Sequence, residues 1–205
     1  NIFSLPPGHF LKYQNNNIIV DSYWEVPKVV QNIDEKSAVE KFKYLLKKAI
    51  KNQMIADVPV GAFLSGGLDS STIVALASKH TDKLKTFTFG FSDSKYNEID
   101  YARSISKKYK TNHYELFDDK KNLPNTLIDM QKIYDEPFAD SSNIPTYLIS
   151  KFASEEVKVV LSGDGADELL GGYDFWYDDL LRFQEYSNKL QSSRFSKIKN
   201  WFNSD

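Results

Sequence analysis

Cysteine is absent from the 205 residues of the chain. That excludes disulfides, thiolate metal sites and cysteine nucleophiles within these residues, and it fits a cytoplasmic location, which is the expectation. Long apolar runs are missing as well. No segment approaches the roughly 20 consecutive apolar residues of a membrane-spanning helix, so no membrane partner is expected. Excess charge of one sign is also lacking: 26 Lys and Arg stand against 28 Asp and Glu, a net charge of −2. The balance removes any global electrostatic case for a nucleic-acid partner. The three histidines, His9, His80 and His113, do not fall with carboxylates at ligand spacing, so a metal site built on imidazole is not expected.

What is present begins with Ser65-Gly66-Gly67-Leu68-Asp69-Ser70-Ser71. An apolar stretch, Val58 to Leu64, precedes it and a stretch of helical periodicity follows from Ser70. A strand, a tight glycine turn and a helix N-terminus make an anion site, because backbone N–H groups converge there and the helix dipole adds partial positive charge. Glycine lets the backbone approach a phosphate closely. No lysine follows as in Gly-x-x-x-x-Gly-Lys, and the adjacent glycines do not match the dinucleotide pattern Gly-x-Gly-x-x-Gly. Asp69 would repel phosphates unless a metal intervenes, so it predicts bound Mg²⁺. An ordinary Ser/Asp helix cap is the plainer alternative.

Along the chain, Pro6-Pro7-Gly8-His9 reads as a turn, with β-like pieces at Phe10–Tyr13 and Ile18–Val20 around an Asn15-Asn16-Asn17 loop. Asp34 and Ser37 offer caps for an amphipathic helix over about 35–52. Strands are expected at Val58–Leu64, Leu84–Phe91, His113–Phe117 and Val157–Leu161, and helices from Ser70, over Asn97–Tyr109, Asn122–Tyr134 and Ile144–Ser154. Strands alternating with helices argue an α/β fold with a parallel sheet covered on both faces. Three segments are expected: 1–33 as a β remnant and linker, 34–190 as the sheet domain, and 191–205 as a basic polar tail. The chain opens on Asn1, and both ends read as cut from something longer.

A second loop, Ser162-Gly163-Asp164-Gly165-Ala166-Asp167-Glu168, carries three acids within five residues and leads to Gly171-Gly172-Tyr173. Like the first, it follows a strand end, and in a parallel sheet both turns belong on the same rim. Asp167, near the next helix start, could share Mg²⁺ with Asp69, while Asp164 on the glycine turn is better placed to act on substrate. Taken alone, the loop also reads as a solvated turn. EF-hand spacing is absent.

Ser65–Ser71 resembles the pyrophosphate loop of ATP-pyrophosphatases, which cleave ATP between the α and β phosphates. With Val58-Pro59-Val60-Gly61 before it, Asp135-Glu136-Pro137-Phe138-Ala139-Asp140-Ser141-Ser142, and Leu161–Glu168 with Gly171-Gly172-Tyr173, the stretch from about 36 to 180 resembles the synthetase domain of glutamine-hydrolysing asparagine synthetases. Residues 1–30, with Leu5-Pro6-Pro7-Gly8-His9 and Tyr23-Trp24, are similar to the end of that family's N-terminal glutaminase domain. The resemblance implies an adenine nucleotide alpha-hydrolase-like fold. The implied reaction is attack of the aspartate side-chain carboxylate on ATP, giving β-aspartyl-AMP and pyrophosphate. Ammonia from a glutaminase domain then displaces AMP to give asparagine. By the resemblance, Ser65, Gly66, Gly67, Asp69, Ser70 and Ser71 hold pyrophosphate, and Asp69 and Asp167 ligate Mg²⁺. Phe63, Phe89, Ser162 and Gly163 hold adenosine through their backbones, and Asp164 stands where many members carry a glutamate that accepts a proton from ammonia. The family's catalytic cysteine and a late lysine fall outside these residues, and a homodimer of the full-length protein stays open. Two other readings remain: a related amidotransferase or β-lactam synthetase acting on another carboxylate, and a module that binds Mg-ATP without turnover.

Among remaining residues, His80 is expected near a helix C-terminus. Tyr173, Phe175, Trp176 and Tyr177 are expected to pack against the sheet. Asp140, Ser141 and Ser142 are expected either to line the amino-acid side of the cleft or to cap the helix at Ile144.

Overall fold

The computed structural model describes residues 2–27, 32–91, 98–117, 123–135, 140–174 and 176–186. The expected tail at 191–205, Phe175 and Glu136 to Ala139 lie outside them. The chain divides into two compact units, residues 1–45 and 46–205.

The first unit holds a hairpin of β1 (His9–Gln14) and β2 (Asn17–Ser22), antiparallel from His9 opposite Ser22 to Gln14 opposite Asn17. Its turn is two residues, Asn15 and Asn16, with φ of 51° and 62°. Left-handed asparagines at both central positions are the chemistry a twist-matched hairpin turn demands. Asn17, expected in the loop, is already paired. Helix α1 (Glu35–Gln53) starts in this unit, and Asp34 accepts the Ser37 N–H at 3.0 Å as the sequence suggests.

The second unit is built on a parallel sheet of β3 (Val60–Phe63), β4 (Lys85–Gly90), β5 (Asn112–Phe117) and β6 (Val159–Leu161), in the order β5-β4-β3-β6. Helices α2 (Leu68–Ala77) and α3 (Ile99–Tyr109) link the first three strands. Helices α4 (Leu123–Ile133) and α5 (Asn143–Ser154) precede β6, and α6 (Ala166–Leu170) follows it. Alternation along the strands sends side chains to two separate cores. On one face Ala62, Leu64 and Leu161 pack with Val74 and Ala77 of α2, Ala102 of α3 and Ile50 at the end of α1. On the other, Phe87 meets Ala153 of α5 and Val157, with Phe63, Tyr114 and Phe152 around them. Phe87 stacks on Tyr114 with ring centres 5.2 Å apart and meets Phe152 edge-on at 6.2 Å. The sheet is therefore covered on both faces, as expected for an α/β protein.

Element ends differ from the sequence expectation for local reasons. Pro59 has no N–H to give a ladder, and β3 begins after it. Val157 donates its N–H to Ala153 O at 2.9 Å, completing the last turn of α5, so β6 starts two residues later than periodicity suggests. α2 starts at Leu68, two residues before Ser70.

The order of strands positions the site. From β3 the chain steps outward through β4 to β5, then returns across the sheet to place β6 on the other side of β3. Loops leaving β3 and β6 therefore flank the point where the winding reverses, and that crevice is where open parallel sheets bind ligands.

Candidate nucleotide cleft

Ala62 pairs with Leu161 across β3 and β6, so Phe63, the last residue of β3, and Ser162, the first after β6, follow side by side. A cleft of about 560 Å³ opens above them. From the first loop it is lined by Phe63, Ser65, Gly67, Asp69 and Ser70, and from the second by Ser162, Gly163, Asp164, Gly165, Asp167, Glu168 and Tyr173. Asp140 and Ser142, at the start of α5, complete the wall. Two loops separated by nearly a hundred positions thus form one site, as the shared-rim argument requires.

The first loop is held by its own serines. Ser70 Oγ, almost fully buried, accepts the Ser65 N–H at 3.2 Å, lies 2.9 Å from Ser65 Oγ and donates to Gly67 O at 3.3 Å. Ser65 Oγ accepts the Gly67 N–H at 3.2 Å. The first bond inside α2 runs from Ser71 N to Gly67 O at 3.0 Å. Gly67 is the N-cap and brings no side-chain cap. The first-turn N–H groups of Leu68, Asp69 and Ser70 consequently have no intrahelical acceptor, the arrangement suited to an anion. The plain Ser/Asp cap alternative does not describe this helix start.

Gly66 has a different reason to be glycine from the one its neighbourhood suggests. Its φ is +89°, and a Cβ there would stand 2.6 Å from Tyr101 Cβ and 2.8 Å from Ala102 N in α3. Close packing of the loop onto α3, with the left-handed backbone, excludes a side chain independently of any phosphate. Gly163 performs the corresponding task between the loops. A Cβ at Gly163 would lie 3.0 Å from both Asp69 Cβ and Ser70 N.

Three residues expected at the site do not line the cleft. Gly66 faces α3 as described. The Ser71 hydroxyl is buried and has no hydrogen-bond partner among the described residues. Phe89, one strand over in β4, sits edge-on to Phe91 at 5.3 Å. Asp140 lines the cleft and its carboxylate accepts the Ser142 N–H at 2.8 Å just before α5, whose N-cap, Ser142, has no side-chain cap bond, so the helix-cap alternative does not describe it. The bond from Ser142 holds the Asp140 pKa below the ordinary aspartate value.

Tyr173 is a correction. Expected to pack against the sheet, it lines the cleft, and its hydroxyl donates to Glu168 Oε1 at 2.8 Å. The hydrogen bond to that carboxylate raises the phenol pKa, keeping it a neutral donor. Glu168 was legible only as an acid in a run. The signal for its pairing is the spacing Glu-x-x-Gly-Gly-Tyr, in which a left-handed Gly171 turns the chain back on α6.

Both predicted metal-binding carboxylates, Asp69 and Asp167, line this one cleft from opposite loops. Among the described residues no three His, Cys, Asp or Glu side chains converge as a metal site of their own. Two carboxylates with room for phosphate oxygens and water is the donor set Mg²⁺ takes beside a nucleotide, so the residues present fit it.

The asparagine synthase family matches residues 41–204. The chain is 46% identical over 174 residues to putative asparagine synthetase (glutamine-hydrolyzing) 2 of Methanocaldococcus jannaschii, covering 84% of this chain and 32% of that protein. It is 33% identical to asparagine synthetase (glutamine-hydrolyzing) 1 of Bacillus subtilis, covering 85% of this chain and 28% of that one. The chain thus spans about a third or less of the curated relatives it matches. Among solved structures it is similar to a glutamine-dependent NAD+ synthetase from Acinetobacter baumannii solved in complex with ADP. The TM-score is 0.45 at 16% identity, covering 77% of this chain and 32% of that one. With the family match extending over most of its length, through both cleft loops, the chain belongs to the asparagine synthase family.

Proposed function

We propose that this chain forms the ATP site of a synthetase that activates the side-chain carboxylate of aspartate and amidates it to asparagine. One observation carries the reading: the Ser65–Ser71 loop and the Ser162–Glu168 loop meet in a single cleft at the switch point of the sheet. The family match and the names of the relatives support it.

In this reading the open first turn of α2, in the loop that the Ser65 and Ser70 hydroxyls hold in shape, binds the β and γ phosphates, which leave as pyrophosphate. The backbones of Phe63, Ser162 and Gly163 border the adenosine. Asp69 and Asp167 hold Mg²⁺, which, when bound, offsets phosphate charge as pyrophosphate departs. An oxygen of the aspartate side chain attacks the α phosphorus, forming a mixed carboxylic–phosphoric anhydride, β-aspartyl-AMP. Ammonia then adds to the activated carbonyl, AMP leaves, and Asp164, exposed on its glycine turn, takes the proton lost by nitrogen. Much of the acceleration comes from holding the two reactants in line. The ammonia would come from a glutaminase domain.

ATP–pyrophosphate exchange tests the proposal. Exchange that requires aspartate is the expected result. Exchange that requires a different carboxylic acid would transfer the assignment to a related amidotransferase. Mg-ATP binding with no exchange under any acid would leave a nucleotide-binding module.

A further inference from the structure

The acidic turn that carries Asp164 and Asp167 is built on an unusually weak element. α6 has five residues, too few to be stable alone. None of its residues is buried, and Leu169 and Leu170 are exposed. Gly165 at one end and Gly171 at the other are both left-handed, so the backbone reverses on each side of it. Hydrophobic burial therefore does not fix where Asp167 stands relative to Asp69 across the cleft.

Polar contacts do that work instead. The N–H groups of Gly171 and Gly172 both donate to Asp167 O, at 2.8 and 3.0 Å. Gly172 lies directly under the Asp167 carboxylate, which would have to move to admit a side chain there. The bond from the Tyr173 hydroxyl to Glu168 Oε1 then joins the residue after Asp167 to the residue after Gly172. Half-buried Tyr173 supplies a rigid ring in the cleft wall, while Glu168 is exposed.

We propose that Glu168 and Tyr173 form a latch that positions Asp167 for the nucleotide, with Glu168 acting as hydrogen-bond acceptor and not as a ligand or base. Glu168 and Tyr173 are positioning residues: they act on the chemistry through the Asp167 turn. The inference rests on the ATP-site reading above and adds what each of these two side chains does.

The proposal separates charge from hydrogen bonding at Glu168. Glutamine keeps an Oε1 acceptor for Tyr173 and loses the charge, whereas alanine loses both. The test uses the full chain with any flanking sequence retained. It measures the Mg²⁺ half-saturation of ATP binding and of aspartate-dependent exchange, with thermal midpoints alongside. Glu168→Ala and Tyr173→Phe are each expected to raise Mg²⁺ half-saturation about tenfold, the scale of one hydrogen bond to a charged group. Glu168→Gln is expected to stay within about threefold of wild type, and the Glu168→Ala/Tyr173→Phe double variant to be no worse than either single one.

A Glu168→Gln variant as impaired as Glu168→Ala, beside a normal Tyr173→Phe, would overturn the latch and make the charge itself the active feature. Unchanged Mg²⁺ dependence in every variant, with or without a lower thermal midpoint, would overturn it equally, leaving a contact of no consequence to the site. If wild type binds Mg-ATP but shows no exchange, the synthetase reading fails. The binding arm then still decides the latch by the same pattern. If wild type binds no Mg-ATP, both fail.

Discussion

Ser70 shows how one small side chain can organise a ligand loop. Its hydroxyl accepts from Ser65 N and donates within the turn, and the residue is only 8% exposed. Ser70→Ala leaves the Ser65 N–H without that acceptor, at an expected cost of about 1–3 kcal/mol measured by urea unfolding. Gly163 is the complementary case, where the danger is an added atom. Gly163→Ala would push the second loop off Asp69 and Ser70, and misplacement on the ångström scale is worth roughly a hundredfold in rate. Aspartate-dependent exchange should therefore fall by about that factor, while unfolding midpoints move little because the loop contributes little to either core. Much of this residue-level picture was legible in the sequence, since a serine-flanked glycine pair after a strand has few other uses. What was not legible was the contact partner of each glycine. Gly66 yields to α3 and Gly163 to α2, and no local pattern encodes a neighbour brought in by the fold.

At the scale of elements, β4, β5 and α3 share a polar seam. Thr86 Oγ1, fully buried, lies 2.8 Å from Thr111 Oγ1 and 2.9 Å from His113 Nδ1, and Thr111 continues the chain to Ser106 Oγ at 2.9 Å. The other ring nitrogen of His113 is buried without a hydrogen-bond partner among the described residues, 3.7 Å from Glu115 Oε1. Glu115 is itself engaged by Arg103 through two bonds of 2.7 and 2.8 Å. Burial lowers the His113 pKa below its ordinary 6.5, Glu115 opposes that shift and Arg103 adds to it. The unfolded chain then binds a proton that the folded chain refuses. Stability is accordingly full above pH 6.5 and declines as pH falls from 6.5 toward the lower folded value. Urea midpoints at pH 7.5 and 5.5 should differ more for wild type than for His113→Asn, because acids hydrogen-bonded as Glu115 is titrate below 4.5 in both. Equal differences would contradict the assignment. The elements themselves followed from periodicity and from alternation of strand and helix, and their ends did not. Pro59 and the final turn of α5 decide where β3 and β6 begin, and both effects lie outside hydrophobic pattern. The β1–β2 hairpin was visible in its asparagines, although the turn proved one residue shorter than the three-asparagine run.

For the whole molecule, the two acid-bearing loops line one cleft because the strands they follow are neighbours in the sheet. Two acid-bearing turns after strand ends had to share a rim, and the sheet order places them next to each other at a reversal of winding. Sequence reasoning could not say that β6 would neighbour β3; that depends on a long return through α4 and α5, and on packing of Phe152 and Val157 against Phe87. Tyr173 was misplaced for the same reason. An aromatic after a glycine pair looks like core until the reversal at Gly171 carries it into the cleft.

In the proposed function Asp69 and Asp167, from loops far apart in sequence, serve one metal–nucleotide site. Calorimetry of ATP binding with and without Mg²⁺ tests it in wild type, Asp69→Asn, Asp167→Asn and the double variant. Either single change is expected to weaken Mg-ATP binding by roughly tenfold or more and the double variant to be little worse, since the first loss already breaks the shared unit. Independent, additive losses, or an Asp167→Asn protein that binds Mg-ATP as wild type does, would contradict it.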